Sequence, residues 1–189
     1  MKPFRFAAGI RSASTRAEFV NTVQDMERLG YSALMLSDHL VDQFAPISAL
    51  GVAAAVTSSL RLGTFVFNND LRHPVVLAQE LATLDQLSDG RLEIGIGAGW
   101  NKPEYENAGI PFDAGSVRID RLAESMSVMK HLFSEGPTNF EGRFLSSTRL
   151  RRPAFEKFRM LRNRLGINHI FVGEDYRDFA PVVQILSGT

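Results

Sequence analysis

The sequence of 189 residues contains no cysteine, carries no formal net charge and has no long apolar run. Without cysteine, the chain cannot be a disulfide-stabilised scaffold. Lys and Arg together number 21, as do Asp and Glu, and this balance argues against bulk electrostatic binding to nucleic acid or to an anionic membrane. No apolar segment approaches the ~18–20 residues that span a bilayer, and the first residues lack the apolar core of a secretion signal. We therefore expect a cytoplasmic protein without nucleic-acid or membrane partners.

The composition is that of an ordinary globular protein. Hydrophobic residues make up 44% of the chain and charged residues 22%, which excludes the disordered and fibrous classes. A chain of this length buries roughly 70% of the surface that its unfolded state exposes, which is enough for one substantial core. We expect a single domain over residues 1–189.

Short apolar segments alternate with amphipathic segments in the first part of the chain. The four predicted strands cover residues 4–10, 31–37, 62–68 and 91–96. The first predicted helix begins at a capping box of Thr15 and Glu18, and places Phe19, Val23 and Met26 on one face. Further helices are predicted over residues 47–58, 74–87 and 119–133. This alternation predicts a parallel sheet covered by helices, and it fits both a (β/α) barrel and a doubly wound sheet.

The regular alternation ends after residue 135. Residues 140–145 are predicted to be extended with a turn at Gly142, and a helix is predicted over residues 154–165. A fifth strand over residues 167–172 precedes a last amphipathic helix. Eight strands are typical of a closed barrel of this kind. We therefore expect an α/β protein, an incomplete TIM-type (β/α) barrel with about five parallel strands.

Polar residues follow the second predicted strand, where parallel folds place their functional sites. Asp38 and His39 allow two interpretations. Asp38 is either a helix-capping residue beside a surface histidine, or a carboxylate that orients the His39 imidazole for proton transfer.

A glycine cluster follows the fourth predicted strand, with glycine at positions 95, 97 and 99 before Trp100. The spacing differs by one residue from the dinucleotide-binding fingerprint, and we expect no helix directly behind the cluster. Two interpretations are left open, namely a tight turn and a surface on which a flat ring ligand lies.

Other chemistries lack their motifs in this sequence. His73, His131 and His169 are scattered and do not have the spacing of zinc ligands, so no metal site is expected. A phosphate-binding P-loop and a serine nucleophile elbow are also missing.

Taken in order, these clusters resemble the bacterial luciferase-like monooxygenase superfamily, in particular its coenzyme F420-dependent oxidoreductases. The resemblance runs over residues 1 to about 145 and returns at residues 165–189, which begin LGINHIFV and resemble the last strand and helix of the family. Its motifs are residues 37–40 (SDHL), 62–66 (LGTFV), 72–74 (RHP), 82–91 (ATLDQLSDGR) and 95–100 (GIGAGW).

The resemblance implies a (β/α)8 barrel that holds a deazaflavin or flavin at the carboxyl ends of its strands. It implies coenzyme F420 as the cofactor, with FMN as the alternative, and a small organic molecule as the substrate. The residues that it assigns to the cofactor are Asp38, His39, Phe65, Val66, Asn68, Ala98 and Gly99. His39 is also the expected proton-handling, catalytic residue. In relatives the third strand bulges through a non-prolyl cis peptide, and the matching bond here joins Phe65 to Val66. Trp100 stands where some F420 enzymes carry a glutamate.

The sequence departs from the family pattern between Leu145 and Phe155. About a hundred residues of the family barrel, including a Gly-Gly loop that holds the cofactor phosphate, have no counterpart there. Two hypotheses therefore stand. The first is an oxidoreductase that transfers hydride between F420 or FMN and a small substrate. The second is a non-catalytic, shortened relative that acts as a dimeric or partner-binding subunit. Because an incomplete barrel leaves open strand edges, we expect a homodimer.

Overall fold

The computed structural model describes residues 5–133 and 138–150. The strands are β1 (Ala7–Ala8), β2 (Ala33–Leu36), β3 (Arg61–Asn68), β4 (Leu92–Gly97), β5 (Thr138–Glu141) and β6 (Ser146–Leu150). The helices are α1 (Arg16–Arg28), α2 (Pro46–Val56), α3 (Pro74–Leu87), α4 (Lys102–Ala108) and α5 (Gly115–Phe133). The helix predicted over residues 154–165 and the fifth strand predicted over residues 167–172 lie outside the described residues.

Strands β1 to β4 form one parallel sheet in which the spatial order follows the chain order. β2 pairs with β3 from Ala33 opposite Arg61 to Leu36 opposite Thr64. A doubly wound sheet reverses its strand order at a switch point, whereas a barrel adds each strand beside the previous one. The sequential order therefore decides between the two predicted architectures. The fold is α/β, and the described residues form part of a TIM-type barrel with four parallel strands.

The helices cover the sheet with the stripes that the sequence predicts. Crossovers between neighbouring parallel strands are right-handed, so that successive helices pack on the same side of the sheet. α1 contacts α2, α2 contacts α3, and α3 contacts α5. The buried side chains include Phe19, Val23 and Met26 on α1 and Leu77 and Leu81 on α3. None of the described helices is long and apolar enough to cross a bilayer.

The ends of α1 follow local sequence signals. The Thr15 hydroxyl caps the helix by accepting the N–H of Glu18 at 3.1 Å, and the Glu18 carboxylate accepts the N–H of Ser14 at 2.8 Å. Gly30 follows the helix with φ +83°, a conformation that glycine adopts without a steric penalty. These local rules confirm where the helix begins and ends.

Glu27 ties the end of α1 to the start of β3. Its carboxylate accepts the backbone N–H groups of Ser58, Ser59 and Leu60 at 2.9, 2.5 and 2.9 Å. Burial by itself raises the pKa of this carboxyl, but these backbone donors and the Ser59 hydroxyl outweigh it and lower the pKa from 4.5 to about 2. The ionised carboxylate therefore stabilises the fold at neutral pH.

The pair β5–β6 is an antiparallel hairpin beside α5. The Glu124 carboxylate on α5 accepts the N–H groups of Arg143, Phe144 and Leu145 at 2.8, 2.9 and 3.1 Å. The predicted turn at Gly142 is confirmed, because this residue lies in the connection between β5 and β6, whereas the extended structure of β5 ends at Glu141.

Candidate functional site

β3 carries a bulge near its carboxyl end. The register between β3 and β4 shifts between Thr64 and Phe67, and the peptide bond from Phe65 to Val66 is cis. Both features are what the family resemblance implies for this strand, so that expectation is confirmed. The Phe65 side chain is 58% exposed, whereas Phe67 is fully buried in the core.

The glycines of the cluster on β4 make room for other parts of the same chain. A Cβ atom on Gly95 or on Gly97 would lie 2.8 Å from a methyl group of Val66. A Cβ atom on Gly99 would collide with the hydroxyl of Tyr105. The side of each glycine that a Cβ would occupy is thus filled by protein. A flat ring would therefore meet another side of this loop.

Asp38 is buried at the end of β2 and does not orient His39. Its carboxylate forms a bidentate pair with Arg72, with Oδ1 accepting from Nη2 at 3.0 Å and Oδ2 accepting from Nη1. Oδ2 also accepts the backbone N–H of Asn68 at 2.9 Å. These contacts match neither of the two interpretations from the sequence, because Asp38 does not cap a helix and is not the carboxylate that pairs with His39. Asp38 instead joins the ends of β2 and β3.

The carboxylate that holds His39 belongs to Glu104 on α4. The Glu104 side chain is 3% exposed, and its Oε2 lies 3.0 Å from Nδ1 of His39. The same oxygen also accepts from the backbone N–H of Leu40 and from Nδ2 of Asn101, each at 3.3 Å. Because a carboxylate only accepts hydrogen bonds, it selects the imidazole tautomer with a proton on Nδ1. Nε2 of the neutral ring then carries the free lone pair.

The His39 ring is also next to Trp100. The two ring centroids are 5.7 Å apart and the planes cross at 81°, an edge-to-face arrangement. The Trp100 side chain is itself 74% exposed. His39 is therefore fixed by Glu104 on one side and faces an accessible aromatic ring on another.

The prediction that no helix follows the glycine cluster is wrong. α4 begins at Lys102, two residues after Trp100, and holds Glu104 in its first turn. Pro103 near the start of a helix and an acidic residue in the first turn are the local signals for it. A helix of seven residues shows no apolar repeat, so the periodicity that identified the longer helices could not find it.

Asn68 and Tyr105 connect the end of β3 to the loop after β4. The Asn68 Oδ1 accepts the Tyr105 hydroxyl at 2.8 Å and the N–H of Asp70 at 3.1 Å. The Tyr105 hydroxyl also lies 3.2 Å from Oδ2 of Asp70. Burial raises the pKa of Tyr105, and the nearby Asp70 raises it further. The phenol is therefore a hydrogen-bond donor within the fold.

Asp70 is itself a buried acid in this network. Burial raises the pKa of Asp70, although Arg121, with its Nε at 3.1 Å from Oδ1, acts in the opposite direction. This carboxyl serves the connection between the strand ends and α5.

Arg118 on α5 holds the loop that follows β4. Its Nε donates to the carbonyl of Ala98 at 3.2 Å and its Nη2 to the carbonyl of Gly99 at 3.3 Å. The backbone N–H groups of Gly99 and Trp100 have no hydrogen-bond acceptor within residues 5–133 and 138–150. Two adjacent donors are therefore available at the carboxyl end of β4.

Most of the predicted site residues lie in one connected network at the carboxyl end of the sheet. Asp38 bonds to Asn68, and Asn68 and Gly99 both contact Tyr105. His39 joins the network through Glu104, the chain neighbour of Tyr105. Ala98 is held with Gly99 by the same arginine, whereas Val66 packs on the earlier glycines and Phe65 is exposed. The functional candidates that sequence reasoning missed are Arg72, Glu104, Tyr105 and Arg118.

The residues that the structure describes contain no cluster of side chains suited to a metal ion. A cavity of about 430 Å³ lies between the amino-terminal ends of α1 and α2. Its walls include Phe19, Phe44 and Val52, and none of the predicted site residues lines it.

The fold and the network define a protein of the (β/α)-barrel class with its polar site at the carboxyl ends of the strands. Residues 1–158 match the family described as luciferase-like monooxygenase. Because this match covers most of the chain, the protein belongs to the luciferase-like monooxygenase family.

Some of the similar proteins have names that include F420 or FMN. A protein named F420-dependent glucose-6-phosphate dehydrogenase from Beutenbergia cavernae is 34% identical over 129 residues, which is 64% of this chain and 38% of that relative. The structure of the coenzyme F420-dependent tetrahydromethanopterin reductase from Methanopyrus kandleri matches with a TM-score of 0.68 at 24% identity, over 77% of this chain and 44% of that one. A type II Baeyer–Villiger monooxygenase from Pseudomonas putida in complex with FMN matches with a TM-score of 0.67 at 20% identity, over 82% of this chain and 46% of that one.

The two structural matches, each under 25% identical, support the fold alone. The chain spans less than two fifths of the length of the curated relative and less than half of each solved chain.

Proposed function

We propose that the protein is an F420- or flavin-dependent oxidoreductase in which His39 handles the proton that accompanies hydride transfer to or from a small organic substrate. The observation that carries this proposal is the His39–Glu104 pair, whose Nδ1–Oε2 distance is 3.0 Å. The pair stands at the carboxyl end of a parallel barrel sheet, next to two free backbone donors.

The residues present fit a deazaflavin or flavin ring in two respects. The free N–H groups of Gly99 and Trp100 suit the polar edge of such a ring. The exposed side chains of Phe65 and Trp100 offer apolar and aromatic surface at the same ends of the strands. F420 is the favoured cofactor because the relative at 34% identity is named as F420-dependent, whereas the FMN protein is similar in fold alone.

The chain's own residues then have separate roles. When bound, the cofactor ring supplies the hydride acceptor or donor. Glu104 keeps the Nδ1 proton of His39 in place, so that Nε2 can accept a proton from a substrate hydroxyl or return one. Asp38, paired with Arg72, holds the ends of β2 and β3 together and thereby fixes the position of His39.

Ligand binding tests the proposal directly. The purified chain is titrated with F420 and with FMN while absorbance and fluorescence are recorded, and we expect submillimolar binding of at least one. H39A should keep the fold and lose turnover with any substrate found. Binding of neither cofactor below millimolar concentration would refute the oxidoreductase.

The alternative is a non-catalytic relative that acts as a dimer or as a partner-binding subunit. Within the described residues β4 pairs with β3 on one side only, and an edge strand of this kind can pair with another chain. Light scattering tests the predicted homodimer and the dimeric form of this alternative. A cooperatively folded particle of 21.0 kDa would be the monomer and would contradict both.

A further inference from the structure

The Arg118 guanidinium joins the loop after β4 to the segment before α5. Besides the carbonyls of Ala98 and Gly99, it donates from Nη1 to the carbonyl of Asp113 in the segment before α5. Its central carbon lies 3.9 Å from the centroid of the Phe112 ring, a cation–π contact. These contacts fix the orientation of the planar guanidinium group.

The guanidinium group in turn fixes the orientation of two peptide planes, Ala98–Gly99 and Gly99–Trp100. In a trans peptide the C=O and the following N–H point in opposite directions. When Arg118 binds the carbonyls of Ala98 and Gly99, the N–H groups of Gly99 and Trp100 point away from the arginine. Neither of these two N–H groups has an acceptor in the described parts of the chain. Gly99 has φ +77°, a conformation that other residues rarely adopt.

We propose that Arg118 is a positioning residue, which turns the backbone donors of Gly99 and Trp100 toward a bound cofactor ring. This inference rests on the proposed function. Arginine suits the role because its rigid fork binds two carbonyls at once, which the single ammonium of lysine does not do in the same geometry. This role is separate from that of Tyr105, whose hydroxyl packs against Gly99 on the side that a Cβ atom would occupy.

The test compares R118K and R118Q with R28K as the matched control. Arg28 is an exposed helix residue, with 74% of its side chain accessible, and it pairs with Asp25 on its own helix. Thermal unfolding first establishes that each variant folds cooperatively. Two readouts follow, namely the backbone ¹⁵N order parameters of Gly99 and Trp100 in the ligand-free chain and the dissociation constants for F420 and FMN.

We expect wild type and R28K to show rigid amides at both positions, and R118K and R118Q to show lower order parameters there. We expect the cofactor dissociation constant to rise about tenfold in the Arg118 variants, because a misplaced donor loses its hydrogen bond. Trp100 is the sole tryptophan, so its emission reports binding at the loop in each titration.

The outcomes separate this inference from the proposed function. Unchanged order parameters in R118K and R118Q overturn the positioning role, and so does an unchanged affinity in a variant whose loop has lost order. A wild-type chain that binds neither cofactor overturns the proposed function. In that case the order parameters still show whether Arg118 orders the loop. Lowered values in R118K and R118Q would support the ordering role of Arg118.

Discussion

Replacing Glu104 by glutamine tests how the structure prepares His39. The carboxylate receives hydrogen bonds from Nδ1 of His39, the N–H of Leu40 and Nδ2 of Asn101, at 3.0, 3.3 and 3.3 Å. A glutamine has one acceptor oxygen and an amide NH2 group that can only donate. All three bonds end on Oε2, and Oε1 also lies 3.2 Å from Nδ1. If the glutamine oxygen keeps the Leu40 and Asn101 bonds at the Oε2 position, the NH2 group takes the Oε1 position beside Nδ1. As a donor it competes with the oxygen for Nδ1 and favours the imidazole tautomer with the proton on Nε2. The free lone pair then moves to the wrong nitrogen.

The size of the effect follows from the bonds involved. A hydrogen bond to an ionised group contributes about 1.5–3 kcal/mol, compared with about 0.5–1.5 kcal/mol for a neutral pair, so E104Q should lose about 1–2 kcal/mol of stability. In a serine protease triad the equivalent acid-to-amide change costs about 10⁴ in turnover through the wrong tautomer. We expect a loss of about 10²–10⁴ here, because Nε2 would donate where it should accept.

Histidine ring ¹⁵N spectra measure the tautomer without any assumption about substrate or cofactor. The four histidines are recorded near pH 8.5, where an ordinary imidazole is neutral, and H39A assigns the signal of His39. Wild type should show the proton on Nδ1, and E104Q should show it on Nε2. The control is E106Q, which makes the same change at an exposed carboxylate of α4 that is paired with Lys102. The reasoning fails if E104Q and wild type give the same tautomer.

Three further predictions concern stability and are read from urea unfolding. E27Q should lower the free energy of unfolding by about 1–2 kcal/mol at pH 7. Because the pKa of Glu27 is about 2 in the folded chain and ordinarily 4.5, the stability difference between wild type and E27Q should shrink as the pH falls from 5 toward 3. A difference that stays constant with pH would contradict this prediction. G99A should lower the free energy of unfolding by about 2–4 kcal/mol, because residue 99 has a positive φ and the added methyl would collide with the Tyr105 hydroxyl. G109A, at φ +69° with open space around the added methyl, should lower it by only about 1 kcal/mol. Equal losses in the two variants would contradict the collision at residue 99. D38N should lose about 2–4 kcal/mol because Arg72 is left without its ion pair, and a loss below ~0.5 kcal/mol would show that the pair contributes little.

The family motifs led to the bulge of β3 and to the cis bond, although the residues alone do not require either. Asp38 shows where a local interpretation fails. Its chain neighbour His39 is the natural partner in the sequence, but the Asp38 carboxylate binds Arg72, which lies 34 residues away. Successive residues at the end of a strand point to opposite sides, so neighbours in sequence are seldom partners in space.

The amino-acid sequence by itself determined the kinds of element and their order, because capping residues, glycine stops and apolar periodicity act within a few residues of one another. It also brought the polar clusters to the carboxyl ends of parallel strands. Only the tertiary structure decided that the sheet follows chain order, that Glu104 faces His39 across 65 residues, and that Arg118 reaches back to the loop after β4. Those contacts depend on the packing of separate elements, and no local spacing encodes which side chains that packing brings within hydrogen-bond distance.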